Sequence, residues 1–221
     1  MVTIDQGIHT LYGGTKLGLL IMKQVADDCL LSETQIASGL TEIQRRYAQG
    51  DKTTRAASYP IQAYTAYWKK FGGHYPVLAQ LESILSGKKT LPKESGLRQA
   101  MFLTELESML LTAGHDVSKV QLPLRLQVTH GSETYVSLSG REVTTAKDDM
   151  MICDGAGILS SMMRGPDAQS RMTATTDQVL FTMYAPPGIR TDTVEDALLR
   201  LQERIAQANP HAQTVSLQVF A

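Results

Sequence analysis

The chain has 221 residues, 43% of them hydrophobic and 19% charged, with a formal net charge of −1. That length lets a folded chain bury well over half of the surface its unfolded form exposes, so neither a disulfide nor a metal is needed to hold it together, and an intrinsically disordered chain is excluded by composition. A near-neutral charge excludes a global basic field of the kind that drives non-specific nucleic-acid binding, and leaves any RNA contact to a local patch.

The first clear element is the apolar run Lys16–Val25, which follows Gly13-Gly14 and reads as a buried strand. Ser32 reads as a helix N-cap, with Ile36, Leu40, Ile43 and Tyr47 at three- and four-residue spacing and a stop at Gly50. A second helix starts near Pro60, with Ile61, Tyr64, Tyr67, Trp68 and Phe71 on one face and Gly72-Gly73 at its end. Val77, Leu81, Ile84 and Leu85 mark a short third helix closed by Gly87, and the spacing from Leu97 to Leu110 predicts a long helix from Glu94 to Gly114. The period then changes to strands: Leu122–Val128, a hairpin through Gly131 into Tyr135–Leu138, then Met150–Cys153, Gly157–Met163 and Gln178–Tyr184. A final helix from Asp192 or Thr193 through Ile205 and a strand at Thr214–Phe220 complete the chain. With helices mainly in the first half and strands mainly in the second, the fold class is α+β, with a mostly antiparallel layered sheet core.

Cys29 and Cys153 have no C-x-x-C spacing and read as inert thiols in a reducing compartment. The start Met-Val-Thr-Ile-Asp lacks the pattern of a signal peptide, and the longest apolar run, Leu17–Met22, is too short to span a bilayer. Cytoplasmic residence and no membrane partner are the expectations. No repeat or linker interrupts the sequence, so 1–221 is expected to form a single domain.

Several constellations carry chemistry in principle. Tyr64, Tyr67, Trp68, Lys69 and Lys70 could stack bases and pair phosphates, but rings on one face with Ile61 and Phe71 read as a core stripe with solvated lysines. Lys88 and Lys89, with Arg98 nearby, are the better positions for an RNA phosphate. His115-Asp116 is the only adjacent imidazole–carboxylate pair; Asp116 reads as a turn or helix cap. Asp154-Gly155-Ala156-Gly157 joins two strand-like runs and reads as a hairpin turn, too short for a phosphate loop. The richest polar segment is Arg164–Gln178, with Arg164, Arg171, Thr173, Thr175 and Thr176 on a loop leading into a strand. No spacing resembles a metal site, and no cofactor motif is present.

Taken in order, S-Y-P-I-Q-A-Y-T-A-Y-W-K-K-F-G-G (58–73), L-S-G-K-K-T-L-P (85–92), A-G-H-D-V-S-K-V (113–120), D-G-A-G-I-L (154–159) and R-M-T-A-T-T-D-Q-V-L-F (171–181) resemble the B3/B4 domain of the phenylalanyl-tRNA synthetase β subunit, and more closely its free-standing relatives; the core of the resemblance runs over 58–185. The resemblance implies an editing fold that hydrolyses tyrosine mistakenly attached to the phenylalanine tRNA. It also places a pocket between strand layers near Arg164–Gln178 and the end of the long helix. The family's T-x-E-T-K/Q-N corresponds to Thr173-Ala174-Thr175-Thr176-Asp177-Gln178, so Thr175 replaces the glutamate. Gln99 and Phe102 stand where relatives tend to carry aspartate and asparagine, and Ser160-Ser161-Met162-Met163 replaces C-R-x-W-N. These departures predict a more apolar pocket in which threonine cannot act as the missing base.

The expectation is therefore a B3/B4-like protein that binds aminoacyl-tRNA or a small amino-acid-like ligand, with trans-editing hydrolysis of mischarged tRNA as a further activity. Arg171 would pair an anionic group, with Arg164, Thr173, Thr175, Thr176 and Phe102 completing the pocket, and Lys88, Lys89 and Arg98 facing RNA. No catalytic residue is assigned, and DNA is not an expected partner. The alternative is a non-catalytic ligand-binding or protein-interaction module on the same fold.

Overall fold

A strand of eight residues whose middle six, Leu17–Met22, are apolar needs cover on both faces and both edges, and the computed structural model, which describes residues 2–221, supplies it at Lys16–Lys23. The elements in chain order are β1 (Val2–Ile4), α1 (Gln6–Leu11), β2 (Lys16–Lys23), α2 (Glu33–Tyr47), α3 (Lys52–Ala57), α4 (Ile61–Lys69), α5 (Pro76–Leu85) and α6 (Gly96–Ser108). They continue with β3 (Thr112–Asp116), β4 (Leu124–Val128), β5 (Thr134–Val136), β6 (Glu142–Thr144), β7 (Met150–Cys153), β8 (Ile158–Ser161), β9 (Gly165–Pro166), β10 (Gln178–Ala185), α7 (Thr191–Ala208) and β11 (Gln213–Phe220).

One sheet has the order β11-β2-β10-β3, all antiparallel, with β2 and β10 paired from Lys16↔Ala185 to Lys23↔Gln178. A second has the order β1-β4-β7-β8-β9, antiparallel apart from the parallel β1–β4 pair; β5 and β6 form a separate hairpin. The fold is α+β with mostly antiparallel sheets. No helix among the described residues is long and apolar enough to cross a membrane.

α7 buries Val194, Ala197, Leu198, Leu201 and Ile205, one stripe at helical spacing, against β2, β11 and α6. The approach is close enough that a Cβ on Gly18 of β2 would stand 2.6 Å from Val194 Cγ1. Ser32 caps α2 as expected, within a reciprocal capping box that Gln35 completes, and α6 starts at Gly96, just after the expected Glu94, with Ser95 accepting Arg98 N–H as its cap. Tyr64, Tyr67 and Trp68 are buried and packed on Tyr75 and Phe71, while Lys69 and Lys70 are exposed. The aromatic-basic helix is thus a core helix, and Lys70 Nζ lies 4.5 Å over the ring of Tyr12.

The structure corrects three expectations. The long helix stops at Ser108: Met109 takes a left-handed backbone (φ 55°), and Glu105 turns its side chain to accept Thr112 N–H at 2.9 Å. Gly114 lies inside β3, where a Cβ would meet Met172 Cε at 2.6 Å, so it serves packing and ends no helix. The hairpin through Gly131 does not form, because the Glu133 carboxylate collects the N–H groups of His130, Gly131 and Ser132 at 2.7, 2.9 and 3.1 Å and folds that segment into a loop. β4 pairs with β1 and β7 instead, and β5 finds β6 across the Gly140 turn. Beyond these, β1, α1 and α3 lie where no element was anticipated.

The turn at Asp154 is a hairpin between β7 and β8. Asp154 N–H donates to Gly157 O at 2.9 Å, and its carboxylate accepts from Ala156, Gly157 and Gln121 N–H. Asp116 caps the 3-10 turn Val117–Lys119 through Ser118 N–H at 2.9 Å.

Candidate functional site

The polar loop Arg164–Gln178 is held down by buried side chains. Thr176 Oγ1 donates to Asp116 Oδ2 at 2.9 Å and accepts Thr173 N–H at 2.9 Å, which fixes the entry to β10. His115, fully buried, contacts Ser170 Oγ through Nδ1 at 2.7 Å, and the Ser170 hydroxyl in turn donates to Asp167. Burial opposes the charge on Asp167, but the His115 imidazole, its Nδ1 3.8 Å away, and hydrogen bonds from the Ser170 hydroxyl and N–H hold its carboxyl below the ordinary range. In a nucleophilic triad the imidazole stands between hydroxyl and carboxylate. Here the hydroxyl stands between the other two and all three are buried, so the cluster clasps the loop to β3.

This anchoring disperses the residues that the sequence placed in one pocket. Arg171, exposed, borders a cleft of about 510 Å³ with Lys119, Asp154 and Asp167. Thr173 and Thr175 share a hydroxyl contact of 3.1 Å on the outer side of the loop, and Thr175 is exposed. Phe102 packs half-buried against the core on α6, and Gln99 is spent on Leu31 N–H (3.0 Å) and Pro92 O (2.8 Å). Lys88 and Lys89 are exposed on the turn after α5, Lys89 beside an apolar groove with Leu91 and Pro92, and Arg98 is exposed in the first turn of α6.

Arg164 alone of the named loop residues reaches the cleft at the seam of the two sheets. That cleft, about 310 Å³, is lined by the start of β3 (Thr112, Ala113), by β8 (Ser160, Ser161), by β9 and by Tyr184 of β10, with Trp68 of α4 and Pro76 of α5. Leu111, Met162 and Met163 add apolar surface, and His74 and Arg164, both exposed, stand at its rim. Arg164 Nε donates to Thr144 O at 2.9 Å, and no described residue takes a hydrogen bond from its terminal nitrogens. The guanidinium fork is therefore positioned but free.

Two carboxyls stand behind the walls of this cleft, each gripping the backbone of a lining residue. Glu105 accepts Thr112 N–H, and burial pushes its pKa up to about 8. Asp149 accepts Met163 N–H at 3.0 Å and the Tyr67 hydroxyl at 2.6 Å; burial raises its pKa too, against the lowering effect of those bonds. Ser160 Oγ and Tyr184 OH are 2.8 Å apart, and Tyr184 OH also receives Ile152 N–H at 3.0 Å. These wall groups thus find their partners within the walls. No carboxylate lines the cleft itself. Of the lining groups, the sequence had signalled Arg164 and the Ser160–Met163 substitution. His74, Thr112 and the second role of Trp68 come from packing and carry no local pattern.

No family model matches the chain, and no curated protein matches it. Among solved structures, it is similar to an N-terminal fragment of the phenylalanyl-tRNA synthetase β subunit from Pyrococcus horikoshii, with a TM-score of 0.46 and 9% identity, over 99% of this chain and 50% of that one. The chain spans about half the length of that fragment.

Proposed function

We propose that this protein binds a small amino-acid-like ligand, free or carried as an ester on tRNA, in the seam cleft, and that it does so without efficient hydrolysis. The observation that carries this reading is the graded chemistry of one small cavity: an apolar interior of Trp68, Met162 and Met163, hydroxyls on Thr112, Ser160 and Ser161, and a free guanidinium fork at the rim. At about 310 Å³ the space sits at the lower end of small-molecule sites and suits a ligand of amino-acid size. The ligand's side chain fills the interior, and its carboxylate, or the ester that replaces it, faces Arg164.

Slow binding-dependent chemistry follows from the lining. Hydrolysis of an ester needs a group to take a proton from water, and neither threonine nor serine hydroxyls do this unaided. The carboxyls of Glu105 and Asp149 are committed behind the walls. A second reading, ester hydrolysis assisted from the rim, is favoured by His74 alone, since imidazole is the side chain most often used as a general base.

The test is equilibrium dialysis with labelled amino acids, run beside a deacylation assay on correctly and incorrectly charged tRNAs. Binding that Arg164→Ala weakens by about 1.5–3 kcal/mol supports the cleft reading. Fast deacylation abolished by His74→Ala would replace it with the second reading, and the absence of both binding and deacylation would refute each.

A further inference from the structure

On the face formed by the end of α2, the α3–α4 connection and the first half of α7, a second cleft of about 580 Å³ is lined by four arginines, Arg46, Arg55, Arg190 and Arg200, against the single carboxylate of Asp196. None of its lining residues belongs to the seam cleft. Four guanidiniums repel one another, and carboxylates behind the cleft offset them: Glu82 holds Arg55 (2.7 and 2.8 Å), Glu42 holds Arg46 together with Arg45, Glu107 holds Arg200 (3.0 Å) together with Arg204, and Asp192 holds Arg190 (3.0 Å). The pairing does not exhaust them. Arg190 gives only Nε to Asp192 and Arg200 gives only Nη1 to Glu107, so both present further N–H groups to solvent.

We infer that this cleft binds the phosphodiester backbone of an extended single-stranded oligonucleotide. Arg190, the N-cap residue of α7, and Arg200 lie ten positions apart, which at 1.5 Å per residue separates their backbones by about 15 Å. A strand laid along that span can meet the two arginines with separate phosphates. The N-terminal end of α7, without a side-chain cap, adds the positive end of an 18-residue helix at the Arg190 side. Tyr59 supplies the remaining element. Its hydroxyl is fixed by Arg190 N–H (3.0 Å) and Thr193 (2.7 Å), the residue is 36% exposed, and the Arg190 guanidinium lies 5.0 Å over the ring. A held ring beside a guanidinium is a platform on which a base stacks regardless of sequence. With a net charge near zero over the whole chain, a polyanion has to be held by a local arrangement of this kind.

The experiment is fluorescence anisotropy of a short labelled single-stranded oligouridylate with the full chain across a salt series. Saturable binding is expected, with log Kobs falling linearly with log salt. Arg190→Glu combined with Arg200→Gln should weaken it about tenfold or more and flatten the salt slope by about 1.4, or 0.7 for each phosphate no longer neutralised. Arg204 continues to hold Glu107 in that variant, and thermal melting checks that it is folded. Tyr59→Ala should weaken binding about fivefold or more, with Tyr59→Phe retaining it. Arg164→Ala, outside this cleft, should leave it unchanged, which separates failure here from failure of the seam-cleft reading. Binding that survives the double substitution, or no saturable binding by the unmodified protein, would overturn the assignment. Displacement by pyrophosphate as effective as by unlabelled oligonucleotide at equal phosphate would overturn the extended-strand geometry.

Discussion

Glu105 carries a sharp pH dependence that its surroundings dictate. It is buried beside Tyr64 and Tyr75, and its carboxyl ionises at about 8 rather than at the ordinary 4.5, because burial penalises the charge more than the Thr112 N–H bond favours it. A carboxyl whose folded pKa is raised binds its proton more tightly in the native state. Stability is therefore full below the unfolded pKa and is lost as pH rises toward the folded one. The gap between 4.5 and about 8 corresponds to roughly 5 kcal/mol of stability lost by the time the pH passes 8. Glu105→Gln keeps an oxygen for Thr112 N–H but cannot ionise. In urea unfolding, the difference between this variant and the unmodified protein should be small at about pH 5 and grow by roughly 3–5 kcal/mol by about pH 8.5. Asp149, also raised by burial, adds a trend of the same sign to both proteins and cancels in the difference. A difference that stays flat across the pH range would refute the argument.

Gly96→Ala should destabilise by about 3 kcal/mol or more, since a Cβ there would stand 1.8 Å from the Cys29 carbonyl oxygen, a backbone atom that cannot swing aside; a urea midpoint within error of the unmodified protein would count against the packing described. Thr176→Val removes the bond to Asp116 and strands Thr173 N–H, so a loss of about 1–3 kcal/mol is expected, with faster amide exchange confined to Arg171–Gln178. We propose that 1–221 folds as one unit: β10, from the second half, lies between β2 and β3, which precede or straddle residue 114. Fragments cut near 114 should each be unfolded by circular dichroism, and an independently folded fragment would disprove this.

Where local chemistry decides the structure, the sequence was legible. The Ser32 N-cap, the Asp154 hairpin, the buried run at Lys16 and the stripe of α7 are each set by residues close to one another in the sequence. Where a distant or unusual partner decides, it was not. The end of α6 depends on a left-handed Met109 and a side chain that reaches forward from Glu105, and the loop at Gly131 depends on the Glu133 carboxylate. The candidate site follows the same division. Arg164 and the Ser160–Met163 exchange were visible as local departures from a pattern, but Trp68, His74 and Thr112 join them only because the edges of two sheets meet. Thr176, read as a ligand group, is taken up in tying its own loop to Asp116.

The chain has a single tryptophan, and it lines the seam cleft, so its emission reports directly on occupation of that cavity. The decisive measurement is a titration of Trp68 fluorescence with non-fluorescent amino acids and their esters, phenylalanine and its methyl ester among them, on the unmodified protein and on Arg164→Ala. A saturable change that shifts to about tenfold or more higher concentration in the variant is the result expected from a rim guanidinium holding the ligand's anionic or ester end. Emission that does not respond to any member of the series, or that responds identically in both proteins, would contradict the proposal that the seam cleft is the binding site.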